Sequence, residues 1–224
     1  MKVLSDFGPI YAETNLDRFP VEPLNTISNL LFLAVAIYWS IQFKNIENKN
    51  LKNFLLVSLP LLYIGYVGGS LYHATRAHFG WMLMDVIPIY LIAICTSIYH
   101  WRLINFNFFK IIGVFMVMLC LPLTLIWTYL SESVNSPTYG YIVITLPVVL
   151  PVILDQIKTK WKYSKEFMIP LVFIIIALGF RVLDSTALVQ QSFKIGTHWL
   201  WHTFGAMTCH FLLIYMRKRS LYQG

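Results

Sequence analysis

Residues 196–216 read GTHWLWHTFGAMTCHFLLIYM, and Arg217-Lys218-Arg219 follows at once. No Asp, Glu, Lys or Arg interrupts the run. A bilayer hydrocarbon core about 30 Å thick takes roughly 20 apolar residues in a helix. The stretch therefore reads as a membrane-spanning helix with a basic end. Its head carries His198 and His202, four apart and so on one helical face. That spacing lets two imidazoles reach one metal ion, as in HExxH sites. Taken alone, the pair reads rather as interfacial histidines flanked by tryptophans.

Six further apolar stretches precede this one, at about 24–43, 54–75, 81–100, 108–130, 138–154 and 167–183. The chain of 224 residues is 58% hydrophobic and 12% charged, with a mean hydropathy of +0.65. A soluble domain is about one-quarter charged. The expectation is an all-α integral membrane protein, multi-pass, with a seven-transmembrane-helix bundle as its single domain. Residues 1–23 form an extramembrane N-terminal segment without the features of a cleaved signal peptide. Residues 24–216 form the bundle, and 217–224 a basic tail. Pro122, Pro147, Pro151 and Pro170 fall inside spans, where neighbouring helices re-satisfy freed carbonyls. Cys95, Cys120 and Cys209 lie singly in apolar runs and read as small core hydrophobes.

Twelve of the 17 Lys and Arg residues fall on one side of these spans. They include Lys44, Lys158, Lys160 and the 217–219 cluster. Lys2, Arg18, Arg76, Arg181 and Lys194 fall on the other. Basic residues favour the cytoplasmic side, so the C-terminus is expected inside and the N-terminus outside. The same bias explains the net charge of +7 without a nucleic-acid partner, and no protein partner is evident.

With that orientation, His73 ends the second span on the outer side. Asp85 lies about one turn into the third, and His198 and His202 head the seventh. Intramembrane ionisable groups are costly and usually face the bundle interior. Each of these residues alone has a plain structural reading. Their common depth favours a metal site instead. Three neutral histidines and a water make a catalytic zinc sphere, which yields a hydroxide near neutral pH. Asp85 could move its proton. Ser70, one turn before His73 on the same face, could hydrogen-bond a carbonyl or oxyanion, or serve as a small residue in helix packing. His78, His100 and His210 are left out of the site.

On the first span, Asn25, Ser28 and Asn29 share a face that should look into the bundle, as substrate-binding candidates. Upstream, Glu13, Asn15 and Glu22 offer oxygens that could hold Ca²⁺ or form a solvated acidic tail. Arg181 and Asp184, three apart, read as an ion pair, with Asp184 alternatively holding the N-terminal segment.

The segments Glu22-Pro-Leu-Asn25-Thr26-Ile-Ser28-Asn29, Gly69-Ser70-Leu-Tyr72-His73-Ala-Thr75, Asp85-Val-Ile-Pro88 and His198-Trp-Leu-Trp201-His202 resemble those of the alkaline ceramidases. These belong to a wider seven-helix superfamily of metal-dependent membrane hydrolases that includes the adiponectin and progestin receptors. The resemblance implies a seven-helix bundle with zinc on His73, His198 and His202. It places Asp85 beside the zinc-bound water and makes Ser70 the family's serine. It also implies calcium at Glu13, Asn15 and Glu22, with the Tyr11 carbonyl. The family serine usually stands four residues before the histidine, where this chain has Gly69. An expected Trp-Cys is Tyr11-Ala12, and an upstream acid is missing.

The function expected is hydrolysis of a ceramide-like membrane lipid to a fatty acid and a long-chain amine, near the non-cytoplasmic face. The alternatives are a zinc-containing receptor or sensor of the adiponectin-receptor type, or a hydrolase of another lipid amide or ester. The short segments outside the spans speak against a large signalling partner. A retinal pump is excluded by the lack of a lysine in 196–216.

Overall fold

A computed structural model describes residues 6, 8–130 and 137–221. Lys2 and residues 222–224 of the basic tail thus lie outside the described residues. The chain is all-helical, with no strand among the described residues. In chain order the helices are α1 (Pro23–Ser28), α2 (Leu30–Gln42), α3 (Lys49–Thr75), α4 (Phe79–Leu103), α5 (Phe108–Leu130), α6 (Pro137–Lys158), α7 (Ser164–Asp184), α8 (Ala187–Ser192) and α9 (His198–Ser220). Every expected span falls on a helix, the first divided between α1 and α2 at Asn29. Among the described residues, four helical segments are long and apolar enough to cross a membrane: Pro23–Asn45, Lys49–Thr75, Phe79–Leu103 and Ser164–Asp184.

The termini explain why helices begin and end where they do. Asn48 accepts the Leu51 N–H and His78 the Gly80 N–H, satisfying donors that the first turns of α3 and α4 leave free. At the other end of α3, Arg76 adopts a left-handed conformation (φ 47°) and its N–H closes on the Tyr72 carbonyl. That turn brings the chain back over the helix end.

Helix α3 packs along α4, α7 along α9, and α5 against α6. Glycine permits the closest of these approaches. A Cβ at Gly68 would collide with Met84, and one at Gly69 would come within 2.5 Å of Asp85 Oδ1. The small residues that let α3 meet α4 are therefore these two glycines. The core collects Trp39, Leu55, Tyr99, Phe167, Tyr215 and Met216 from five helices. At one end of the bundle, Arg219 of α9 clasps Asp155 of α6 through Nε at 2.7 Å and Nη2 at 2.8 Å. Tyr215 and Gln156 join the same cluster. The ends of α3 and α7 and the starts of α4 and α9 meet at the opposite end of the bundle.

Candidate metal centre

His73 sits in the last turn of α3, and His198 and His202 occupy the first two turns of α9. All three are buried. Their ring centroids are 4.7 Å apart for the α9 pair, and 4.9 and 5.3 Å from His73 to His202 and His198. One nitrogen from each lies within 4.8 Å of the others, close enough to share a metal ion. Among the described residues, no other group of His, Cys, Asp or Glu has this geometry.

The surrounding hydrogen bonds fix which nitrogen two of the three rings offer, those of His73 and His202. His73 Nδ1 lies 2.5 Å from Glu22 Oε2. Burial would raise the Glu22 carboxyl, but the hydrogen bonds from His73 and Thr14 and the charge of Arg76 outweigh it. The group is held down at about 2. An ionised carboxylate only accepts, so Nδ1 carries the hydrogen. His73 Nε2 is left buried with no hydrogen-bond partner. His202 Nδ1 lies 3.1 Å from the Asn25 carbonyl and 2.8 Å from Ser28 Oγ. A carbonyl also only accepts, so this Nδ1 carries its hydrogen too and Nε2 keeps its lone pair. His198 Nδ1 is buried without a hydrogen-bond partner, and its ring stacks on Tyr11 at 3.8 Å. Such outer partners orient imidazoles and raise their basicity at metal sites. The donor set thus fits a metal ion.

An apolar cavity of about 190 Å³ reaches Trp201, the residue before His202. Asp85, Asn29 and Trp201 line its head, and Thr96, Phe167 and Leu212 its far end. Asp85 Oδ1 and Asn29 Oδ1 converge on Gly69, lying 2.5 and 2.8 Å from where its Cβ would be. Ser70 is half-buried one position further on, and makes no hydrogen bond with the described residues. The point where Asp85 and Asn29 meet is therefore Gly69, the residue four before His73. Of the three first-span candidates, Asn29 faces this cavity. Ser28 is turned instead to His202, while the Asn25 side chain donates to Glu22 and only its backbone carbonyl supports His202.

The oxygens considered for calcium have other partners. Both carboxylate oxygens of Glu13 accept the N–H groups of Leu24 and Asn25, at 2.6 and 2.9 Å, capping α1. Burial nonetheless raises the Glu13 carboxyl, the two N–H groups opposing it. Asn15 Oδ1 accepts from the Asp17 N–H. Glu22 is shared between His73 and the Arg76 guanidinium, whose Nη1 is 2.5 Å away. Every one of these three side chains is thus engaged within the protein.

Arg181 and Asp184 also depart from expectation, since no ion pair joins them. Arg181 lies over the rings of Tyr141 and Trp201, at 4.7 and 5.2 Å. Asp184 accepts the N–H groups of Thr197 and His198 at the start of α9, where a helix leaves donors free. It also accepts that of Ala12, so it does hold the N-terminal segment. Sequence reasoning missed two residues around the site, Arg76, which enters there only as a charge to be counted, and Asp6, and it named Tyr11 for its carbonyl rather than for the ring that stacks on His198. Contacts spanning 70 residues, as between Asp6 and Arg76, leave no local pattern in a sequence.

Compared with known proteins, the chain matches no family model and no curated protein.

Proposed function

We propose that this protein is an intramembrane zinc-dependent amidohydrolase that cleaves the amide bond of a ceramide-like lipid to a fatty acid and a long-chain amine. One observation carries the reading: three buried histidines, two of them with Nδ1 engaged and Nε2 left over, each offer a nitrogen within 4.8 Å of the others, and Asp85 with Trp201, next in sequence to His202, lines an apolar cavity. Zinc held by His73, His198 and His202 would supply a Lewis acid and lower the pKa of a bound water to about 7. Asp85 accepts the proton of the attacking water and passes it to the amine nitrogen as the C–N bond breaks and the C–O bond forms. Asn29 Oδ1, aimed at the same point, accepts a hydrogen bond from the amide N–H or a head-group hydroxyl. The apolar cavity below takes a hydrocarbon chain and excludes water. Ser70 is assigned no step.

The basic-residue bias supports seven spans with this site at the non-cytoplasmic face. The alkaline-ceramidase resemblance of the motifs points to ceramide among lipid amides. The test is turnover by the purified, zinc-loaded protein on ceramides, other lipid amides and lipid esters, with His202→Ala beside it. Wild type should release fatty acid from ceramide, and His202→Ala should lose metal and activity together. Wild-type rates from the His202→Ala protein would refute the proposal.

A further inference from the structure

The N-terminal segment is fastened to the metal centre by a buried charge chain. Backbone bonds start it: the Val21 N–H donates to the Ala74 carbonyl and the Glu22 N–H to that of His73. Arg76, turned by its left-handed backbone, then meets the segment with its whole guanidinium. Nε is 2.6 Å from Asp6 Oδ2 and Nη2 3.1 Å from Asp6 Oδ1. Nη1 is 2.5 Å from Glu22 Oε1 and 3.4 Å from Thr14 Oγ1. The rings of Tyr72 and Tyr11 lie 4.7 and 5.7 Å from its central carbon. The side chains of Asp6, Arg76 and Glu22 are all fully buried. Burial works against the charge on Arg76, but Asp6 and Glu22 outweigh it and hold the pKa above its ordinary value.

Calcium would need these oxygens at 2.3–2.6 Å. The guanidinium already stands at that distance from one oxygen of each carboxylate, and it cannot deprotonate. A cation brought there would also be repelled by it. We propose that Arg76 is itself the organising cation of this segment, gathering Asp6, Thr14 and Glu22 against His73 in place of a bound divalent ion. At Asp6, Thr14 and Glu22 the chain accordingly needs no calcium. Arg76 is a positioning residue: through Glu22 it fixes the Nδ1–H of His73 and frees Nε2. The inference does not depend on the reaction catalysed.

The test uses the full-length, zinc-loaded protein in detergent, with thermal unfolding and calorimetric titration in chelator and in calcium chloride. Wild type should show no saturable calcium binding and the same melting temperature in both. Arg76→Ala leaves two buried carboxylates without a counter-charge, so it should melt lower in chelator. Calcium should then fill the vacated position and raise its melting temperature saturably, by about 5–10 °C at a hundredfold excess over the dissociation constant. Arg76→Gln replaces Arg76→Ala if the latter does not accumulate. Saturable stabilisation of wild type by calcium would overturn the proposal on its own. So would a folded Arg76 variant that calcium leaves unchanged.

Discussion

His73 is held at Nδ1 by Glu22, which Arg76 holds in turn. His202 is held at Nδ1 by the Asn25 carbonyl and Ser28. The residues behind the ligands therefore matter nearly as much as the ligands. Removing such a partner typically costs 10–100-fold in metal affinity. Ser28→Ala should weaken zinc binding at the low end of that range, since the Asn25 carbonyl remains; competition with a chromophoric chelator measures it. Gly69→Ala probes the other side of the centre. Its methyl would press on Asp85 Oδ1 and Asn29 Oδ1, so turnover should fall at least tenfold with metal content unchanged. Metal analysis beside a fatty-acid release assay separates the two effects. The grouping of the three histidines is legible from sequence because each lies at the end of an apolar stretch, where the ends of α3 and α9 meet. The polar stripe Asn25, Ser28 and Asn29 is legible as inward-facing. Its division between a ligand's support and the cavity wall is not, because α1 is only six residues long and breaks from α2 at Asn29.

At the scale of elements, the two ends of the bundle do different things. The end away from the histidines is locked by Asp155 and Arg219, which tie α6 to α9. Removing one partner of a buried pair typically costs about 3–5 kcal/mol. Asp155→Ala should lower stability by about that amount in a thermal or denaturant unfolding experiment while leaving zinc content intact. Helix existence is legible from hydropathy, but helix starts are not. Helix α3 begins at Lys49 rather than near 54, because Asn48 caps a first turn whose Asn50, Lys52 and Asn53 look like a loop on a hydropathy scale. Six-residue α8 is too short to show a period. Asp184 looks like a partner for Arg181 at helical spacing. The free N–H groups at the start of α9 are a stronger claim on it, and they come from 13 and 14 residues away in sequence.

For the whole molecule, the decisive relation is between the histidines and the cavity. Helices α3, α4, α6, α7 and α9 all contribute to its wall, from Asp85 down to Thr96 along α4 and from Trp201 to Leu212 along α9. At 1.5 Å per residue, either stretch runs about 16 Å into the bundle. If this space takes the acyl chain, Ala93→Trp, which fills it part-way down, should shift preference towards shorter acyl chains. A ceramide chain-length series measures that shift through kcat/KM. The all-helical class is legible at this scale because composition and hydropathy are global properties of the sequence. The cavity is not, because its wall is assembled from positions more than 150 residues apart. The claim on which the rest stands is that the three histidines are a metal centre with an open position. X-ray absorption at the zinc edge of the purified protein tests it most directly. The account predicts three imidazole nitrogens at about 2.0–2.1 Å and a lighter oxygen shell completing four-coordination, with the imidazole signal lost in His202→Ala. A wild-type protein that retains no metal, or one whose metal lacks imidazole ligands, would contradict it.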